Sequence, residues 1–242
     1  MTNNIKILDI PITNIRKETL LEQIDDHFCE LNGNLFIVTA NPEIIITAKN
    51  TPSYKEVLAT ADYVVPDGIG VMIAGKILGT PLEQKLPGFE LMQDFLAYAN
   101  AHGKSVYFYG AKPGVAEQAA DNAVDQYSEL TVAGYMDGYT KKGLEAAEEI
   151  AATLPDFVFV AMGAPLQEEW IAKFKGLFPT SVLIGVGGSL DVLSGSVKRA
   201  PKFWTSNNLE WLYRLVTQPT RAKRMLKIPL FLLHVVKERV FR

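Results

Sequence analysis

Asp62-Tyr63-Val64-Val65-Pro66-Asp67-Gly68-Ile69-Gly70 decides the fold class. An apolar run stops at a proline, an acid follows, and glycines open a helical pattern that continues from Gly70 to Leu78. The carboxyl end of a strand, where it meets the next helix, is where a parallel α/β sheet places its ligands. A carboxylate on such a turn accepts a proton or orients a nucleophile. Asp-Gly is also a common turn pair, and capping of the next helix is the competing reading of Asp67.

The same order repeats on both sides of this stretch. Leu35-Phe36-Ile37-Val38-Thr39 runs into Ala40-Asn41-Pro42-Glu43, with Pro42 in the first turn of a helix to about Lys49 and a second helix from Pro52 to about Thr60. Phe157 to Ala161 is apolar throughout and closes in Met162-Gly163-Ala164-Pro165, with a helix from Gln167 to Leu177. Val182 to Val186 is followed by Gly187-Gly188-Ser189, and Val106 to Tyr109 by Gly110-Ala111-Lys112-Pro113-Gly114 and a helix from about Val115 to Tyr127. Ile5 to Ile10 alternates and suggests a first strand, and Leu130 to Ala133 a weak one. Helical spacing covers Lys17–Leu31, Phe89–His102 and Leu144–Leu154. Alternating strands and helices, with several strands apolar on both faces, predict an α/β, Rossmann-like, mostly parallel sheet with helices on both sides.

Near Lys198 the texture changes. Lys198 to Arg242 holds eleven Lys/Arg and two acids, a net of +9, so the other 197 residues carry −12 within a whole-chain charge of −3. The expected division is an α/β domain over 1–197 and a basic, amphipathic helical appendage over 198–242. Arg214, Arg221 and Arg224 are spaced by seven and three, and Pro219 and Pro229 break the region into short helices. Aromatic and apolar residues mixed with Arg/Lys fit a segment lying on an anionic membrane surface. A helical hairpin packed on the main domain with a basic rim is the second reading. Nucleic acid is the third, with no binding motif to support it.

The 242 residues, 48% apolar and 21% charged, suit one large soluble domain with an appendage. No signal peptide or spanning stretch is visible. Cys29 is the one cysteine, which excludes an intrachain disulfide and a cysteine-based zinc site. Cytoplasmic residence fits.

Polar residues gather at the strand ends: Thr39 and Asn41, then Asp67, then Gln167, then Asp191. In a parallel sheet these ends share one edge, so their side chains can converge on one crevice. Each alone reads equally as an ordinary cap. Trp170, Ile171 and Phe174 have the spacing of core residues, and Glu168 and Glu169 are expected in solvent. Gly110 to Gly114 could cradle a phosphate but matches neither the Walker loop nor G-x-G-x-x-G, and the absence of those fingerprints argues against a kinase, an NTPase or a usual NAD enzyme. The three histidines are scattered and no Asp-x-Asp occurs. A divalent metal is unsupported, although Asp67 and Asp191 could share one. No Ser-His-Asp or Cys-His arrangement has a motif behind it.

Thr39-Ala40-Asn41-Pro42-Glu43, Pro66-Asp67-Gly68-Ile69-Gly70, Gly163 through Trp170, Gly185 through Asp191, Lys198-Arg199-Ala200-Pro201 and Leu209 through Arg214 stand in this order. Taken together, they make the chain resemble the WecG/TagA/CpsF family of bacterial glycosyltransferases over nearly its whole length, most closely the TagA-like members. The resemblance implies a metal-independent, inverting transfer of a sugar, often N-acetylmannosamine, from its UDP conjugate to polyprenyl-diphosphate-linked N-acetylglucosamine, as in the linkage unit of wall teichoic acid. It implies no cofactor and no nucleic acid. It also implies a nucleotide-sugar site in 1–197, an appendage that covers the active site and meets the membrane, and a peripheral location on the inner face of the cell membrane. Family members self-associate, so a homo-oligomer is an expectation. By motif, Asp67 is the general base, Thr39 and Asn41 line the sugar side, and Gln167 and Asp191 hold the nucleotide sugar. Arg214, Arg221 and Arg224 neutralise diphosphate charge in place of a metal. Lys85 stands where the family usually has an arginine, which keeps the charge but loses bidentate geometry. UDP-glucose or UDP-N-acetylmannosaminuronic acid as donor, and a non-catalytic nucleotide-sugar-binding protein, are the alternatives.

Overall fold

The computed structural model of the protein describes residues 4–30, 33–207, 209–217 and 227–241. The chain enters through a hairpin. β1 (Asn4–Ile7) pairs antiparallel with β2 (Ile10–Thr13), Ile7 opposite Ile10. The sequence suggests one strand across this region, and the structure corrects it. Leu8 and Asp9 have φ of 52° and 64°, the doubly left-handed turn that matches the twist of a two-residue hairpin. Neither residue is the glycine or asparagine that usually signals such a turn.

α1 (Lys17–Glu30), β3 (Leu35–Ala40), α2 (Pro42–Asn50), α3 (Pro52–Ala59), β4 (Tyr63–Pro66) and α4 (Ile69–Leu78) follow. A polar loop leads to α5 (Gly88–His102), β5 (Ser105–Gly110), α6 (Val115–Gln126), β6 (Thr131–Met136) and α7 (Gly143–Ala152). Then come β7 (Phe157–Ala161), α8 (Leu166–Phe174), β8 (Val182–Gly185) and α9 (Ser189–Leu193). Beyond Lys198 the described residues form α10 (Lys202–Ser206), α11 (Glu210–Thr217) and α12 (Lys227–Phe241).

β3 to β8 make one sheet in the order β4-β3-β8-β7-β5-β6, every pairing parallel. Successive side chains of a strand point to opposite faces, and each face has its own core. Phe36 and Val38 of β3, Val158 and Val160 of β7 and Leu183 of β8 pack with the hairpin, α2, α3, α4, α7 and α8. Ile37, Phe157, Phe159, Val182 and Ile184 pack on the other face with α1, α5, α6 and α9. Burial on both faces is why these strands lack polar alternation.

The last helix joins the first of these cores. Phe231 and Val235 of α12 are fully buried with residues of α2 and α4. Lys227 Nζ lies 3.4 Å from Glu43 Oε1, and the Leu8 amide donates to Glu238 Oε2 at 3.0 Å. Leu233, Val240 and Phe241 remain exposed. No helix among the described residues is long and apolar enough to cross a membrane.

Candidate active site

β4, β3, β8 and β7 are consecutive in the sheet, so the turns that leave their carboxyl ends crowd together. Between them lies a cleft of about 310 Å³. Thr39, Asn41, Asp67, Lys85 and Gln167 all line it.

Asp67 follows the last residue of β4, and its amide donates to the Ala40 carbonyl at 2.9 Å, carrying the ladder one residue beyond the strand. The N-cap of α4 is Gly68, with φ of 84°. Asp67 therefore stands outside the capping position and is one of the residues that line the cleft. Gly70 lets the neighbouring turns close up, because a Cβ there would lie 2.8 Å from Pro42 Cγ. The loop after α4 returns along the same edge, where the Leu86 amide donates to the Pro66 carbonyl at 2.7 Å. That bond brings the adjacent Lys85 to the cleft beside the Asp67 turn.

Asn41 satisfies both of its readings. It is the N-cap of α2, its Oδ1 accepting from the Ile44 amide at 3.0 Å, and it also lines the cleft. Thr39 is buried, and its hydroxyl donates to the Gly185 carbonyl at 3.4 Å across the β3–β8 boundary.

Gln167 is buried at the start of α8, and its carboxamide makes three hydrogen bonds among the described residues. Oε1 accepts from the Gly163 amide at 3.1 Å and the Gly187 amide at 3.0 Å, and Nε2 donates to Glu168 Oε1 at 2.7 Å. Its side chain thus ties the glycine turn after β7 to the glycine turn after β8. Glu168 corrects an expectation: it is 0% exposed, whereas Glu169 is in solvent as expected. Its Oε2 accepts from the Tyr54 hydroxyl at 3.0 Å. Burial pushes its carboxyl up to about 7, against the pull of its bonds to Gln167 and Tyr54. The Tyr54 phenol, raised far above its usual range by burial and by Glu168, stays a donor. A signal for Glu168 did exist, since it precedes the buried Ile171 by three residues and so shares its face. Trp170, Ile171 and Phe174 are core residues as their spacing predicts.

Asp191 is not among the lining residues. Ser189 and Val192 of α9 line the cleft, and Asp191 lies roughly opposite them on a helix advancing ~100° per residue. Gly110 to Gly114 also lies off the cleft. Gly110 is needed for packing, since a Cβ there would sit 2.6 Å from the Ala161 carbonyl carbon. The side chain of Arg214, and all of Arg221 and Arg224, lie outside the described residues.

The segment after Lys198 supplies a wall: Thr205, Glu210, Trp211 and Ile228 line the cleft. Arg199 pairs with Glu90 and lies 4.7 Å over the Phe89 ring, joining the start of this segment to the start of α5. Glu43 and Glu90, missed in the sequence because they sit in first helical turns where acids are common, complete an acid-rich lining with Asp67 and Glu210. No group of three His, Cys, Asp or Glu among the described residues is placed to hold a metal ion.

A parallel Rossmann-like sheet whose carboxyl edge holds a cleft lined by Asp67, Lys85 and glycine turns suits a group-transfer enzyme. The chain belongs to the WecG/TagA/CpsF family of glycosyltransferases, whose model matches residues 5–242. A relative from Bacillus spizizenii, named N-acetylglucosaminyldiphosphoundecaprenol N-acetyl-beta-D-mannosaminyltransferase, is 42% identical over 97% of this chain and 90% of its own length. Proteins of the same name from Bacillus subtilis (39% identical; 96% of this chain, 91% of that one) and Staphylococcus aureus (37%; 98% and 93%) are similarly alike.

Proposed function

We propose that this enzyme transfers N-acetylmannosamine from UDP-N-acetylmannosamine to N-acetylglucosamine linked through a diphosphate to undecaprenol, with inversion and without a metal ion. The observation that carries this reading is Asp67 at the end of β4, in one cleft with Lys85, Thr39 and Asn41. The names of the relatives supply the sugar and the acceptor.

In this reading the Asp67 carboxylate takes the proton of the acceptor hydroxyl as its oxygen attacks the anomeric carbon. The new C–O bond forms while the bond to the β-phosphate breaks, and UDP leaves with the electron pair. One displacement from the opposite face inverts the centre. Thr39 and Asn41 face the sugar. Gln167 acts through the two glycine turns it ties together. A cleft lined by Asp67, Glu43, Glu90 and Glu210 repels a diphosphate unless cations offset it. Lys227 pairs with Glu43 and Arg199 with Glu90; Lys85 is a further cation, and Arg214, Arg221 and Arg224 are assigned the charge of the diphosphate. The segment 198–242 is then both lid and docking surface, its positive charge and the exposed Leu233, Val240 and Phe241 meeting the inner face of an anionic membrane.

The test is release of UDP from UDP-N-acetylmannosamine by the full chain, with and without a prenyl-diphosphate-N-acetylglucosamine analogue. Release that requires the acceptor is the expected result. Release with another UDP-sugar alone in a donor panel overturns the donor assignment, and release without any acceptor overturns the transfer.

A further inference from the structure

The transfer chemistry leaves a fully buried acid without a role. Glu168 has no exposed surface, yet it stands directly behind a residue of the cleft wall. Its two oxygens have different partners: Tyr54, from α3, donates to one, and the Gln167 carboxamide donates to the other.

The sense of this network is fixed by its far end. Two backbone N–H groups, those of Gly163 and Gly187, converge on one side of the Gln167 carboxamide. That side must be the oxygen, so the NH₂ must face Glu168. An ionised carboxylate accepts at both oxygens and holds this arrangement. A neutral carboxyl carries an O–H that has to donate. If it donates towards Gln167 it favours the turned carboxamide, which sets an NH₂ against two backbone donors and opens the tie between the turns.

The backbone is shaped around the pair. A Cβ on Gly185 would lie 2.5 Å from Gln167 Nε2 and 3.0 Å from Glu168 Oε1. The carboxamide and the carboxylate therefore occupy the space above the last residue of β8. Gly163, Gly187 and Gly188, the turns that the tie joins, are themselves cleft lining.

We propose that Glu168, fixed by Tyr54, is a positioning residue: its ionised carboxylate orients the Gln167 carboxamide and so holds the Gly163 and Gly187 turns where they receive the donor. This rests on the transferase reading only in taking a nucleoside-diphosphate sugar as the ligand.

Because burial brings the Glu168 carboxyl up to about 7, its charge changes within the working range. The titratable groups acting on it are Tyr54 of α3 and Glu169 of its own helix, and Glu43 of α2 bears in turn on Tyr54. β3, β7 and β8 contain no titratable residue. On α7, Glu145 and Glu149 pair with Lys141, and Glu148 is exposed. Donor capture should therefore strengthen as pH rises through about 7.

The experiment compares wild type, Glu168→Gln and Tyr54→Phe, with kcat and KM for UDP-N-acetylmannosamine followed across that range. Thermal melts and calorimetric titration with UDP alone accompany the kinetics. Glu168→Gln should raise KM and the UDP Kd about ten- to a hundredfold above neutrality. It should also lose the wild-type pH dependence, which the ratio to wild type isolates from the ligand's own titration. Tyr54→Phe removes a bond that lowers the Glu168 pKa, so its rise with pH should move to higher pH. Variants that melt lower but keep wild-type KM, UDP affinity and pH profile overturn the proposal, because Glu168 is then core only. If wild type binds UDP but transfers nothing, the transferase reading fails and the UDP ratios still decide Glu168. If wild type does not bind UDP, both fall.

Discussion

A methyl group on Gly185 would lie 2.5 Å from Gln167 Nε2 and 2.9 Å from its carboxamide carbon. β8 ends in glycine because a side chain from α8 fills that space, and the carboxamide is pinned by three hydrogen bonds. Gly185→Ala should cost about 1–3 kcal/mol in chemical denaturation, the usual price of overpacking, and should lower kcat/KM. Gly176→Ala, where a Cβ meets nothing within 4 Å, should stay within ~0.5 kcal/mol of wild type. Equal effects from the two variants would contradict this packing.

Asp67→Asn keeps the shape of the β4 turn, whose anchor is the backbone bond to Ala40, and removes the proton acceptor. It should lower kcat by about 100- to 10,000-fold while circular dichroism and melting stay near wild type. Retained turnover would assign the base elsewhere.

Stability should carry the opposite pH sign to donor capture. The folded-state pKa of Glu168 is raised from an ordinary 4.5 to about 7. The neutral form's contribution is fully present below the unfolded value and is lost as pH rises through the folded one. That amounts to about 3 kcal/mol. Denaturant midpoints of wild type relative to Glu168→Gln, taken from acid to alkaline pH, should fall through this window and level off above it. A constant difference between the two would remove the titration from Glu168.

Phe231→Ala should cost about 3–5 kcal/mol, because Phe231 is fully buried among residues of α2 and α4. Leu233→Ala, at an exposed position on the same helix, should cost little in solution. It should instead weaken sedimentation with anionic vesicles if that face meets lipid.

EDTA should leave kcat within about twofold when cations of the chain stabilise the departing diphosphate. Loss of activity that Mg²⁺ restores would assign that charge to a metal.

Much of the site was legible in the linear order of residues. A proline, an acid and glycines after an apolar run mark Asp67 and the end of β4, and the same grammar marks Thr39, Asn41 and Gln167. What was misread was set by distant partners or by unusual turns. Glu168 reads as solvent-facing because one of its two hydrogen-bond partners, Tyr54, is 114 residues away. The hairpin of β1 and β2 was hidden because Leu8 and Asp9 carry the left-handed turn without a glycine.

The chain by itself determined the α/β class, the two-faced apolar strands and the polar strand ends, because these depend on local periodicity and on which residues a turn admits. Only the tertiary structure decided the strand order. β8 enters between β3 and β7, which sets the Gly187 turn against Gln167 and opens one cleft from Asp67 to Gly163. Pairing partners in a parallel sheet follow from packing over long sequence separations. No local pattern encodes that.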